Sequence, residues 1–128
     1  MQLLHLEDSP TDAELIALLL RREWPKCEIR QVANGPDYRA ALAADRFDLI
    51  LSDYTVPGFD GLTALSLARE RFPEVPFLFL SGTIGEERAV EALKRGASDY
   101  VIKDRPTRLV PAIRQAMAGH GPVDDWEP

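Results

Sequence analysis

The sequence predicts an α/β domain, a doubly wound parallel sheet with helices on both faces, and three observations predict it. Four short apolar runs, Leu3 to Leu6, Phe47 to Leu51, Phe77 to Leu80 and Tyr100 to Ile102, each end or pause at polar residues, as strands buried on both faces do. Segments of helical period, each bounded by turn or capping residues, fill the intervals. Counting the more polar stretch Cys27 to Ala33 as an edge strand, strand and helix alternate five times, which favours a parallel sheet whose right-handed crossovers leave few ways to wind it.

The elements follow in order. The first strand, Leu3 to Leu6, runs into Glu7-Asp8. The first helix opens at Ser9-Pro10-Thr11-Asp12, with an N-cap serine, a proline at the first helical position and an acid three past the cap. Leu15, Ile16, Leu18 and Leu19 supply its buried stripe, and Trp24-Pro25 stops it, because the residue before a proline is pushed out of the α region. An alanine-rich second helix from about Asp37 to Asp45 turns Tyr38, Ala41 and Leu42 inward. The third strand leads to Asp53, and a third helix from Gly61 to Phe72 takes Asp60 as its cap and Pro73 as its stop. The fourth strand leads to Ser81-Gly82-Thr83. The fourth helix begins with the capping-box spacing of Thr83 to Glu86, carries Ala89, Val90 and Leu93 at helical intervals, and ends at Gly96. After the fifth strand and Lys103, the fifth helix carries Val110, Ile113, Ala116 and Met117, with Pro111 in or near its first turn. Residues 1–118 are expected to form one domain, and residues 119–128 a frayed tail.

Composition narrows the function classes. The chain of 128 residues has 45% hydrophobic residues, enough for a single core, and a formal net charge of -6 that repels phosphate backbones and anionic lipid. Direct nucleic-acid or membrane partners are therefore not expected. The lone Cys27 excludes an internal disulfide and a multi-cysteine zinc site, and reads as a small buried side chain of a protein in a reducing compartment. The N-terminus carries neither a basic segment nor a long apolar run, so a soluble, cytoplasmic protein is expected.

In an open parallel sheet, ligands bind beyond the carboxyl ends of the strands, where strand order reverses. That edge collects Glu7-Asp8, Asp53, Ser81-Gly82-Thr83 and Lys103. Crowded carboxylates repel unless a cation joins them, and an all-oxygen set suits Mg²⁺. An ammonium and a hydroxyl can meet phosphoryl oxygens. The set suits phosphoryl transfer to a carboxylate, which requires in-line positioning and charge neutralisation.

From Leu3 to about Met117 the sequence resembles the receiver domain of two-component response regulators. The resemblance rests on Glu7-Asp8 after an apolar strand, Asp53 within Leu49-Ile50-Leu51-Ser52-Asp53-Tyr54-Thr55-Val56-Pro57-Gly58, Asp60-Gly61, Ser81, Tyr100 and Lys103, all in order and at strand ends. It implies the flavodoxin-like fold with strand order 2-1-3-4-5 and five helices. It also implies a signalling switch rather than an enzyme, limited to Mg²⁺-dependent self-phosphorylation from small donors and self-dephosphorylation. A sensor histidine kinase, hybrid or phytochrome-like, or a phosphotransfer protein would phosphorylate Asp53. By the same resemblance, Asp8, Asp53 and the backbone carbonyl of Thr55 ligate Mg²⁺, Glu7 acts through a metal-bound water, and Lys103 and Ser81 meet the phosphoryl group. Ser81 and Tyr100 are the switch pair, and Thr55 and Thr83 tune the phosphoryl lifetime. The face made by the fourth helix, fifth strand and fifth helix then changes, and would dock a downstream protein or a second copy of the chain.

The sequence departs from the family after the lysine, where Lys103-Asp104 stands in place of a lysine followed by a cis proline. A cis bond before a non-proline residue costs about 2.5 to 4 kcal/mol, so either strain is stored there or the bond is trans and the loop differs. A stand-alone regulator and a piece excised from a longer protein both fit. Two rivals remain: a Mg²⁺-dependent phosphohydrolase with an aspartate nucleophile, against which stand Thr55 where a second acid belongs and the lack of a cap domain, and a receiver-like module that never uses its phosphate site. His5 reads as a satisfied core histidine. Gly58, Gly61 and Gly96 read as positions of backbone permissiveness.

Overall fold

The computed structural model describes residues 1–82 and 85–118. Five strands, β1 (Gln2–Leu6), β2 (Glu28–Val32), β3 (Leu49–Asp53), β4 (Phe77–Ser81) and β5 (Asp99–Ile102), form one sheet. All its ladders are parallel, in the order β2-β1-β3-β4-β5. The helices are α1 (Pro10–Glu23), α2 (Gly35–Ala44), α3 (Gly61–Arg71), α4 (Glu86–Lys94) and α5 (Leu109–Ala118). A two-residue antiparallel ladder, Thr55–Val56 against Phe59–Asp60, closes the loop after β3, with Gly58 at φ +73° in its turn.

Strand alternation divides the core into two layers. Leu3, Leu49, Leu51, Leu78, Leu80 and Val101 pack beneath α1 and α5 with Ile16, Leu20, Leu109 and Ile113. Leu4, Leu6, Ile50, Phe77 and Phe79 face α2 and α3 with Tyr38, Leu42, Ala64 and Leu65. The more polar β2 lies at an edge, as its composition predicts, with only Val32 of its residues buried.

Several boundaries differ from the sequence reading. In α1 the buried positions are Ile16 and Leu20, with Leu19 half-buried, whereas Leu15 and Leu18 are 60% and 61% exposed. A run of leucines over-fills the stripe that a 3.6-residue period can hide. Helix α2 starts at Gly35 because Asn34 is its cap, accepting from the Asp37 amide at 2.8 Å, with Pro36 in the first turn. Helix α4 starts at Glu86, with Gly85 at the cap position and no side-chain cap; Thr83, expected to open a capping box there, lies outside the described residues. Val90 and Leu93 of α4 are exposed, and Ala89 and Ala92 are its buried positions. A 3₁₀ turn at Pro106–Arg108 precedes α5, which buries Leu109, Ala112, Ile113 and Met117 and leaves Val110 and Ala116 half-buried. No peptide bond among the described residues is cis, so Lys103-Asp104 takes the trans alternative. The expected tail, 119–128, lies outside the described residues.

Candidate functional site

Sheet register sets the site. Leu6 is opposite Ser52, Asp53 opposite Leu80, and Ser81 opposite Ile102, so the chain segments leaving β1, β3, β4 and β5 emerge along one edge. Glu7 continues the alternation of Leu3 and His5, Asp53 that of Leu49 and Leu51, and Lys103 that of Val101. All three therefore fall on the side covered by α1 and α5. Ser81 follows Phe77 and Phe79 toward the other side.

The Lys103 ammonium is the hub. Its Nζ lies 2.6 Å from Glu7 Oε1, 2.8 Å from Asp12 Oδ2 and 3.1 Å from Asp53 Oδ2. Its backbone amide donates to Ser81 O at 2.8 Å, which pins the loop after β5 to the end of β4. Burial alone would lower the pKa of Lys103, but the carboxylates of Asp12, Glu7 and Asp53 more than reverse that and hold it above the ordinary lysine value. Glu7 is fully buried, and burial pushes its carboxyl up, opposed by Lys103 and by the Ser9 amide, which donates to Oε2 at 3.1 Å. Asp53 Oδ1 accepts from the Thr55 amide at 3.2 Å, so the loop after β3 is folded back on its own carboxylate.

Glu7, Asp8 and Asp53 each offer a carboxylate oxygen, and these lie within 4.8 Å of one another. Glu7 and Asp53 are buried and Asp8 is exposed, so the cluster is open on one side. All-oxygen donors at that spacing fit a hard divalent cation. Ser81 is buried at the end of β4, and Tyr100 is half-buried against the layer of Phe77, Phe79, Ala92 and Ala97. Of the residues expected from sequence, Glu7, Asp8, Asp53, Thr55 and Lys103 come together, with Ser81 tied to them through the Lys103 amide; Thr83 lies outside the described residues. Asp12 was not foreseen. It reads as an ordinary acid of a helix's first turn, yet it follows Asp8 by one helical turn, and helical side chains lean toward the N-terminus, here the sheet edge.

Among the described residues no helix is long and apolar enough to cross a membrane. The family model described as "Response regulator receiver domain" matches residues 3–114. The chain is 31% identical over 127 residues to response regulator protein PilR of Pseudomonas aeruginosa, covering 94% of this chain and 28% of that protein. It is 35% identical over 118 residues to nitrogen assimilation regulatory protein NtrX of Azorhizobium caulinodans, covering 90% and 26%. The signal receiver domain of a signal transduction histidine kinase from Syntrophus aciditrophicus superposes with a TM-score of 0.80 at 25% identity, covering 96% of this chain and 94% of that one. This chain thus spans little more than a quarter of the length of PilR and NtrX.

Proposed function

Since the chain belongs to the response regulator receiver family, we propose that it is a phosphoacceptor switch in which Asp53 takes a phosphoryl group from a phosphohistidine of a sensor kinase or phosphotransfer protein. The observation that carries this reading is the Asp53 carboxylate, buried, beside Glu7 and Asp8 and 3.1 Å from the Lys103 ammonium. In the transfer, an Asp53 oxygen forms a bond to phosphorus as the donor's P–N bond breaks, and the imidazole keeps that electron pair. Lys103 supplies a fixed positive charge for the phosphoryl oxygens, and Ser81 a hydroxyl. Asp8, Asp53 and the Thr55 carbonyl, with Glu7, would hold Mg²⁺. When bound, the ion supplies neutralisation of the charge on the transferring group.

Ser81 and Tyr100 are the proposed switch, and Thr55 and Thr83 the positions that tune hydrolysis, within a receiver unit of residues 1–118. The output face is α4, β5 and α5, supported by the exposed Val90, Leu93 and Ile102 on it, available to a downstream protein or to a second copy. Coupling between the site and that face is a population shift, driven by whatever difference the two states show toward the phosphoryl group.

Intact mass after incubation with Mg²⁺ and acetyl phosphate or phosphoramidate tests the proposal. The expected result is a single phosphoryl adduct that needs Mg²⁺ and is absent from Asp53→Asn. Folded wild-type protein that takes no phosphoryl group from either donor would instead leave a docking module that does not use its phosphate site.

A further inference from the structure

We propose that Asp12 is a positioning residue for the chemistry at Asp53, acting through Lys103: it holds the ammonium toward α1 before phosphorylation and gives it up when the phosphoryl group arrives. The inference rests on the reading of Asp53 as the phosphoryl acceptor.

Three carboxylates surround the Lys103 ammonium, at 2.6 Å (Glu7), 2.8 Å (Asp12) and 3.1 Å (Asp53), and it donates hydrogen bonds to Asp12 and Asp53. With acetyl phosphate as donor, an Asp53 oxygen bonds to phosphorus as the bond from phosphorus to the bridging oxygen breaks, and acetate leaves with the electron pair. Phosphorylation removes the Asp53 carboxylate charge and passes that contact to the phosphoryl oxygens, which draw the ammonium closer only as one of the other two acids, Glu7 or Asp12, releases it. The Glu7 side chain is 0% exposed, so losing Lys103 would strand a buried charge, which is costly. The Asp12 side chain is 38% exposed, and water can replace the lost partner. Asp12 is therefore the partner to yield. Its place does not depend on Lys103, because its amide donates to Ser9 Oγ at 3.3 Å in the first turn of α1. The pair also ties α1 to the loop after β5, across 91 residues of sequence, so its release loosens that junction.

Neutralising Asp12 frees Lys103 and removes one negative charge from a site that must admit an anionic donor. Both effects act in the same direction, toward faster phosphorylation. The full chain suits a direct test because its other lysines, Lys26 and Lys94, are exposed and serve as internal references. Trace acetic anhydride in metal-free buffer, followed by peptide mass spectrometry, should label Lys103 far more slowly than either reference. Asp12→Asn should raise the Lys103 rate roughly threefold or more, the scale of one partly exposed ion pair, and Asp12→Glu should keep it at the wild-type rate. Phosphorylation by acetyl phosphate with Mg²⁺ should be faster by a similar factor in Asp12→Asn and unchanged in Asp12→Glu. Equal labelling of Lys103 in Asp12→Asn and wild type, or phosphorylation that does not speed up, would overturn the inference while leaving the acceptor reading intact. A wild-type chain that takes no phosphoryl group would overturn both.

Discussion

His5 lies on β1, two residues before Glu7, 1% exposed and with its Nε2 lacking a hydrogen-bond partner. The sequence reading of a core histidine holds, but not its satisfaction at that atom. Burial first, then the Lys103 charge, against a smaller opposing effect of Asp12, lowers its pKa to about 4. The folded state therefore resists a proton that the unfolded chain accepts near pH 6.5. The stability contributed is fully present above that pH and is lost as pH falls through 4, about 3 kcal/mol if the whole interval counts. His5→Leu should flatten the acid limb of stability relative to wild type, measured by urea unfolding at pH 7 and 4.5; parallel limbs would show that His5 is not the sensitive group. The acids Glu7, Asp8 and Asp53 are legible in the sequence because each lies within two residues of the end of an apolar run. Asp12 is not, because nothing local reveals a partner 91 residues away.

Among the elements, helix ends carry the clearest consequences. Asn34 both caps α2 and begins the turn from β2, and Asn34→Ala should cost about 1 kcal/mol in a denaturant melt. The sequence places that start at about Asp37, whereas the Asp37 amide is the donor to a cap three residues earlier. Gly61 matters for a reason other than the permissiveness read from sequence. A Cβ there would lie 2.5 Å from the Tyr54 carbonyl oxygen, so α3 can approach the loop after Asp53 only with glycine at its first position. Gly61→Ala should destabilise the protein by about 1 to 3 kcal/mol and slow phosphorylation of Asp53 by displacing that loop, read by thermal melt and intact mass. Gly96, at φ +108° after α4, does behave as its sequence context predicts. The α1 leucines misled because apolar content was legible but not which residues the sheet could cover, and Leu15 and Leu18 fell outside that arc.

For the molecule as a whole, the alternation of runs and helical segments points to a parallel sheet with helices on both faces and few ways to wind it, and the strand order, which the family resemblance implies, is the one observed. The site draws on the ends of β1, β3 and β5 and the first turn of α1, so a cation bound there favours only the complete fold. Mg²⁺ at about ten times its dissociation constant should add roughly 1.4 kcal/mol and raise the melting temperature on the order of 5 °C. Asp8→Ala should remove most of that rise, and a melting temperature indifferent to millimolar Mg²⁺ in wild type would count against the acidic cluster as its site. The sheet order also has a bearing on biosynthesis. Asp53 on β3 and the Lys103 ammonium following β5 are separated by β4, and by 50 residues of chain. Parallel pairings of such separation are slow to close, and a chain emerging from the ribosome exposes Asp53 well before Lys103 has been synthesised. A half-made protein thus presents Asp53 without the Lys103 ammonium, so if Asp53 is the phosphoryl acceptor proposed above, the partial chain lacks the charge that its chemistry would use.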